Sequence, residues 1–134
     1  MNPKVKMAAS QKAKEIHGVV RQIIENLAEL DFILFIRVSK EYLQASSEVS
    51  GGRYKIPVTE PNHPTAIGVY LLLDIDYKNI QFYEITSAIR GCGGKMVEAV
   101  MNALPDDWYG VVVMDWSGGF WKKMKERHKK LYIM

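Results

Sequence analysis

Two β-rich runs lie close together in the middle of this sequence, Ala66 to Asp74 and Asn79 to Ser87, and the second leads into the glycine cluster Gly91-Cys92-Gly93-Gly94. Only Ile75-Asp76-Tyr77-Lys78 separates the two runs, a spacing that fits an antiparallel hairpin. Behind the glycines, Met96, Val97, Val100, Met101 and Leu104 recur with the helical period, and Pro105 stops that helix. Tyr109 to Met114, with three consecutive valines, then supplies the next strand. A strand followed by a helix and a second strand makes a parallel, right-handed unit. The sequence therefore demands a mixed sheet, antiparallel at the hairpin and parallel across the helix.

The flanking segments fill out this frame. Ile16, Val19, Val20, Ile23, Ile24, Leu27 and Leu30 are spaced by three and four, which predicts one amphipathic helix of some five turns within residues 7–30. Phe32 to Val38 reads as a strand, residues 39–50 give no clear signal, and Arg53 to Val58 has the composition of a short strand ending near Pro57. Pro57, Pro61 and Pro64 make residues 57–65 a loop. Asp115-Trp116-Ser117-Gly118-Gly119 leads into a last helix with Phe120, Trp121 and Met124 on one side, and Leu131 to Met134 closes the chain as a short strand. The expected fold class is α/β, a mixed, mostly antiparallel central sheet with flanking helices.

Length and composition set bounds on this fold. A chain of 134 residues is expected to form a single domain, residues 1–134, with a core that needs no metal or disulfide. The lone Cys92 rules out an intrachain disulfide and a multi-cysteine zinc site, and the histidines His17, His63 and His128 are too scattered to suggest a metal site. Ala66 to Leu73, the longest nearly apolar run, is far shorter than the ~20 residues of a membrane span. The basic start lacks a following apolar segment, so the expected compartment is the cytoplasm. Charge is uneven: residues 1–14 carry four lysines and no acid, residues 122–130 carry six basic residues against Glu126, and the acidic groups lie between. Such basic ends suit either a solvated surface or a polyanion such as nucleic acid.

The segment from Ser87 to Met96 holds the strongest chemical signal. Three glycines in four residues let backbone N–H groups converge at a helix N-terminus, where the dipole favours phosphate, and Arg90 and Lys95 add charge. The same glycines also serve a tight strand-to-helix turn with no ligand. The spacing is neither that of a Walker loop nor that of a dinucleotide fingerprint. Cys92, at the same helix start, is a candidate for a thiol with a depressed pKa.

Residues 88–93 resemble the Gln/Arg-x-x-Gly-x-Gly/Ala signature of the GNAT superfamily of acyl-CoA-dependent N-acetyltransferases, with Gly91 and Gly93 at the glycine positions, Arg90 in the often basic third place and Met96 at the apolar helix position. Ala88 departs from the signature's first residue. The resemblance continues through Tyr109 to Met114, similar to the family's fifth strand, and through residues 115–124, similar to its next helix, where Trp121 stands at the position of the usual catalytic tyrosine. It covers residues 66–124. It implies that acetyl-CoA is the cosubstrate, that the amides around Gly91, Cys92, Gly93 and Gly94 hold its pyrophosphate, and that the backbone of Ile85 and Thr86 pairs with the pantetheine arm. Ser117 and Trp121, with Arg90 and Lys95, complete the implied cofactor set.

Amide formation from a thioester requires a base to free the amine and an acid for the leaving thiolate. Glu84, on the strand entering the glycine turn, is the candidate base, and burial there would raise its pKa toward that role; a solvent-facing or ion-paired Glu84 is the alternative. Tyr132 and Tyr83 are candidate acids in place of the missing tyrosine. Asp115 and Ser117 are the expected caps of the last helix. Trp108, Trp116 and Trp121 are placed near the cleft. The resulting expectation is a GNAT-type acyltransferase that moves an acetyl group to a primary amine of a small molecule, peptide or protein, with oligomers open. The acceptor cleft would fall at about residues 39–65, and the acidic middle favours a cationic amine. The alternatives are a non-catalytic acyl-CoA-binding or protein-binding module on the same fold, or a nucleic-acid-binding domain using the basic termini.

Overall fold

The computed structural model describes residues 4–115 and 117–134. Its element order is β1 (Lys6–Ala9), a 3-10 turn (Ala13–Glu15), α1 (Gly18–Ala28), β2 (Phe35–Val38), β3 (Tyr42–Ser46), β4 (Ile67–Asp74), β5 (Asn79–Ser87), α2 (Cys92–Met101), β6 (Tyr109–Val112), α3 (Phe120–Arg127) and β7 (Leu131–Ile133). The seven strands form one sheet in sequence order. Strands β2 to β5 are antiparallel to their neighbours, whereas β1 pairs parallel with β2, β5 with β6, and β6 with β7. The α/β class is as expected, but the antiparallel ladders are confined to the centre and equal the parallel ones in number. The difference lies at the two ends, where β1 and β7 were not expected as parallel partners.

The N-terminal helix is shorter than its apolar spacing predicts. It starts at Gly18, where the His17 Nδ1 accepts a hydrogen bond from the Val19 N–H at 3.1 Å and so satisfies one of the orphan donors of the first turn. Upstream of Ile16 the positions that continue the stripe hold only alanine or lysine (Ala8, Ala9, Lys12, Ala13), too little apolar bulk to extend the helix, and Lys6–Ala9 instead pairs along β2 from Lys6 opposite Phe35 to Ala9 opposite Val38. Residues 53–58 form no strand; only the isolated bridge between Val49 and Pro57 marks that segment.

Register divides the sheet into two faces. Ile36, Val38, Leu43, Ala45, Val69, Leu71, Ile80, Phe82 and Val112 share one face and are all buried. Against them pack Val20, Ile23, Ile24 and Leu27 of α1, Met96, Val97 and Val100 of α2, and Trp121 and Met124 of α3, in one continuous core. Each such side chain contributes ~1.5–3 kcal/mol relative to exposure. Asn26 Nδ2 donates to the Ala99 carbonyl at 3.0 Å and ties α1 to α2. The start of β6 is fixed by Lys78, which pairs with Asp107 at 2.6 Å, and by Lys130, whose ammonium donates to the Leu104 and Pro105 carbonyls. Among the described residues no helix is long and apolar enough to cross a membrane.

Candidate functional site

The two central parallel strands separate as they run toward their C-terminal ends. β5 and β6 pair from Asn79 opposite Tyr109 to Phe82 opposite Val112, and the Val113 N–H still reaches the Phe82 carbonyl at 3.4 Å. β6 ends at Val112, while β5 continues to Ser87. A cavity of about 320 Å³ occupies the gap, lined along β5 from Phe82 to Ser87, by Gly93 of α2, by Met114, Ser117, Phe120 and Trp121, and by Pro61 and Asn62.

The ladder geometry tells which backbone groups face this gap. The Ala88 N–H donates to the Ala66 carbonyl at 3.1 Å, and Thr86 stands opposite Gly68. Because antiparallel residues alternate between facing the partner and facing away, Ile85 and Ser87 turn their N–H and C=O groups to the cavity side. The backbone of Thr86 belongs to the β4 ladder instead, and its hydroxyl accepts from the His63 N–H at 3.1 Å. Of the two, Ile85 turns its backbone toward the cavity and Thr86 toward β4; the strand's alternation forbids two consecutive residues from facing one side.

The helix face of the gap ends at the glycine turn. Gly91 has φ +92° and no atom within 4 Å of where a Cβ would sit. That left-handed conformation is what only glycine adopts without cost, and it aims the next amides outward. The Cys92 N–H is taken by the Ile89 carbonyl and the Lys95 N–H by the Gly91 carbonyl, both at 3.3 Å. The Gly93 and Gly94 donors between them have no acceptor within the helix. A Cβ on Gly93 would lie 3.2 Å from the Phe120 ring, and one on Gly94 would lie 3.6 Å from the Arg127 guanidinium. α3 is thus packed closely enough that a side chain at Gly93 must displace the Phe120 ring slightly, whereas Gly94 sits at ordinary contact distance, and the last turn of α3 brings Arg127 to the positive end of α2.

On the sheet's other face, Glu84 is half-buried and accepts a hydrogen bond from the Thr59 hydroxyl at 3.1 Å. Thr59 is itself fixed because the Ser46 hydroxyl donates to the Val58 carbonyl at 2.7 Å and holds the crossing loop against the sheet. The ladder slips between Tyr70 and Leu71, so β5 carries one extra residue, Tyr83, beside Glu84. Its ring meets Tyr70 edge-on at 5.1 Å and remains 49% exposed.

The cavity's remaining wall is built by the turn before α3. The Asp115 carboxylate accepts from the Ser117 hydroxyl at 2.6 Å and from its N–H at 2.9 Å, which hold the carboxyl below the usual range. The Ser117 hydroxyl in turn accepts from the Trp121 N–H at 3.3 Å; Gly119 holds the N-cap position of α3, so of the two expected caps Ser117 reaches a helix N–H from outside the cap and Asp115 only braces Ser117. Trp121 is 3% exposed and packs on Phe82 and Phe120 with ring centroids 5.1 and 5.0 Å apart.

Several expected site residues lie elsewhere. Tyr132, 51% exposed on the edge strand β7, meets the Tyr109 ring edge-on and carries the Lys125 ammonium over its ring, away from the cavity. Lys95 faces the groove between α1 and α2 with Asn26 and Glu98. Cys92 is buried in the core, Trp108 is buried against His17, and Arg90 is exposed beside the glycine turn; Trp116 lies outside the described residues. Thr59 and Asn62 fall within the segment of residues 39–65 expected at the acceptor cleft, although not named singly, whereas Phe120 and Arg127 were not anticipated as site residues: nothing in the local pattern marks a basic helix end as part of a cavity. Among the described residues no group of three or more His, Cys, Asp or Glu side chains is placed to hold a metal ion. No protein-family model, curated protein or solved structure matches this chain.

Proposed function

We propose that the chain is an acyl-CoA-dependent N-acyltransferase of the GNAT type, using acetyl-CoA and a primary amine. The observation that carries this reading is the opening between β5 and β6 beside the glycine turn. A slot between parted strands offers the unpaired backbone of Ile85 and Ser87 to an extended amide-bearing chain such as pantetheine. At its end, the free Gly93 and Gly94 N–H groups, with Arg127 and Arg90 close by in the fold, suit a pyrophosphate. The cavity touches both faces of the sheet, so a thioester lying in it would be reachable from the Glu84 side.

The bound coenzyme supplies an acyl thioester. Glu84, held by Thr59, takes the proton that frees the amine, directly or through a water. The amine nitrogen bonds to the acyl carbon as the carbon–sulfur bond breaks; the Tyr83 hydroxyl, exposed on the same wall, protonates the departing sulfur, and the proton the nitrogen sheds on becoming an amide returns through solvent to the Tyr83 oxygen. The N–H groups on the β5 edge are available to the developing oxyanion. The burial of Trp121 where the family's tyrosine would stand favours a second reading, an acyl-CoA-binding module without turnover.

The test is calorimetric titration of acetyl-CoA and of free CoA into the protein. Gly93→Asp sets a carboxylate against the pyrophosphate and should weaken binding by at least tenfold, about 1.4 kcal/mol. Gly93→Ala, which only presses on the movable Phe120 ring, should lose much less. Binding without amine acetylation would select the module, and a folded protein that binds neither ligand would refute both readings.

A further inference from the structure

The sheet face opposite the helices carries a row of side chains that the slot alone does not explain. Arg37 stands opposite Gln44, Gln44 opposite Tyr70, and Tyr70 opposite Glu84, so the four form one cross-strand row from β2 to β5. Three interstrand steps put roughly 14 Å between the backbones at its ends. Tyr42 and Tyr83 flank the row, with Tyr42 6.0 Å and Tyr83 5.1 Å from the Tyr70 ring. Burial first, then the neighbouring Tyr42, Tyr83 and Glu84, hold the Tyr70 phenol above its ordinary range and keep it a neutral hydrogen-bonding group.

The ends of this row are complementary charges that do not meet. The half-buried Arg37 lies over the Tyr42 ring at 5.4 Å and has no carboxylate partner among the described residues. Glu84, at the other end, has the Thr59 hydroxyl and no cation. Between them stands Gln44, 5% exposed, opposite Arg37 on one side and Tyr70 on the other. A guanidinium, an amide and a carboxylate set in one line, with neither charge paired to an opposite one among the described residues, fit a ligand that supplies a partner to each.

We infer that this row binds the acceptor as a small zwitterion, an aminocarboxylate with its amine at Glu84, its carboxylate at Arg37 and Gln44, and its middle against the tyrosine rings. A planar guanidinium fork matches a carboxylate, and the aromatic faces favour a flat or unsaturated spacer. A diamine would set its distal ammonium against Arg37. This assignment as acceptor site rests on the transferase reading, but the affinity of the row is measurable without coenzyme.

The experiment is titration of p-aminomethylbenzoate, p-xylylenediamine and p-methylbenzylamine into the full chain, with and without saturating CoA. The aminocarboxylate should bind at least about tenfold tighter than the other two, the scale of one charged hydrogen-bonded contact. Arg37→Gln should abolish that preference and leave p-methylbenzylamine unchanged, while Arg37→Lys, which keeps the charge and loses the fork, should retain part of it. Equal binding of the diamine or monoamine, a preference that survives Arg37→Gln, or no binding of any of the three would overturn the proposal. If CoA fails to bind while the preference holds, the transferase reading falls and the zwitterion site stands. CoA binding without the preference overturns the site alone.

Discussion

Phe82 and Val112 are the last facing residues of the central parallel ladder, and beyond them β5 runs on for five residues without β6 beside it. Phe82 is also the residue on which Trp121 packs, so the first turn of α3 is wedged against the point where the strands part. The opening is therefore bordered by core packing: aromatic bulk on the helix face lines the ground beyond the end of β6. It leaves strand-edge donors and acceptors on one wall and a helix N-terminus on another, which are the two things an elongated phosphate-bearing ligand needs.

Gly68 should be the least replaceable glycine. A Cβ there would lie 2.4 Å from the Val58 carbonyl and 2.9 Å from the Ser46 hydroxyl, backbone and hydrogen-bonded groups that cannot simply rotate away. Gly68→Ala should cost about 2–3 kcal/mol, as overpacking does, and should release the loop that brings Thr59 to Glu84. Urea unfolding followed by circular dichroism measures this. A loss below about 0.5 kcal/mol, the scale of a neutral surface change, would show that the loop moves without penalty.

The Asp115–Ser117 turn is testable as a cap. Ser117→Ala removes the acceptor for the Trp121 N–H and a donor to the carboxylate, and should lower stability by ~1 kcal/mol. Asp115 is exposed, so its share is smaller, but its sign is fixed. A carboxyl whose folded pKa is depressed stabilises above its unfolded pKa, and that contribution is lost as pH falls through the folded value. Wild type should therefore lose more stability than Asp115→Asn on acidification below about pH 4. Parallel curves for the two proteins would assign the turn no role.

His128 gives the opposite residue type with the same sense of pH dependence. Burial lowers its pKa, against the pull of Glu98, so the folded state prefers the neutral ring. The unfolded chain then binds a proton first as pH drops below about 6.5, and stability declines until the folded ring also titrates. Proton NMR should find His128 titrating below an exposed histidine, and His128→Gln should flatten stability over that window. A value at or above the ordinary one would contradict the burial of this ring at the end of α3.

Much of this architecture was legible because strand and helix periods survive folding unchanged. Asn79 to Ser87 was bounded correctly by its turn residues, and the glycine cluster marked the start of α2. β1 was not, since Lys6–Ala9 is exposed throughout and shows no alternation; only its neighbour β2 makes it a strand. β3 was hidden for a different reason, because Gln44 and Ser46 are polar residues in buried positions. In the site, Glu84 was legible from its place on the strand entering the glycine turn and Ile85 from the family resemblance, whereas Thr59 and Arg127 arrive from segments remote in the chain. Tyr132 was misplaced because a short terminal strand carries no local clue to which neighbour it joins.

The two candidate catalytic groups should separate kinetically, because they act on different atoms. Glu84→Gln keeps the hydrogen bond from Thr59 but not the basicity, and should lower kcat for amine acetylation by ~10²–10⁴ with acetyl-CoA affinity unchanged. Tyr83→Phe keeps the edge contact with Tyr70 and removes only the acid. Its deficit should shrink for a thioester whose thiol is a better leaving group, since such a sulfur departs without a proton, whereas the Glu84→Gln deficit should not change. Steady-state assays with an alkyl and an aryl thioester donor read this difference. A Tyr83→Phe enzyme with the same deficit toward both donors would remove Tyr83 from the proton-donor role and return it to the aromatic row.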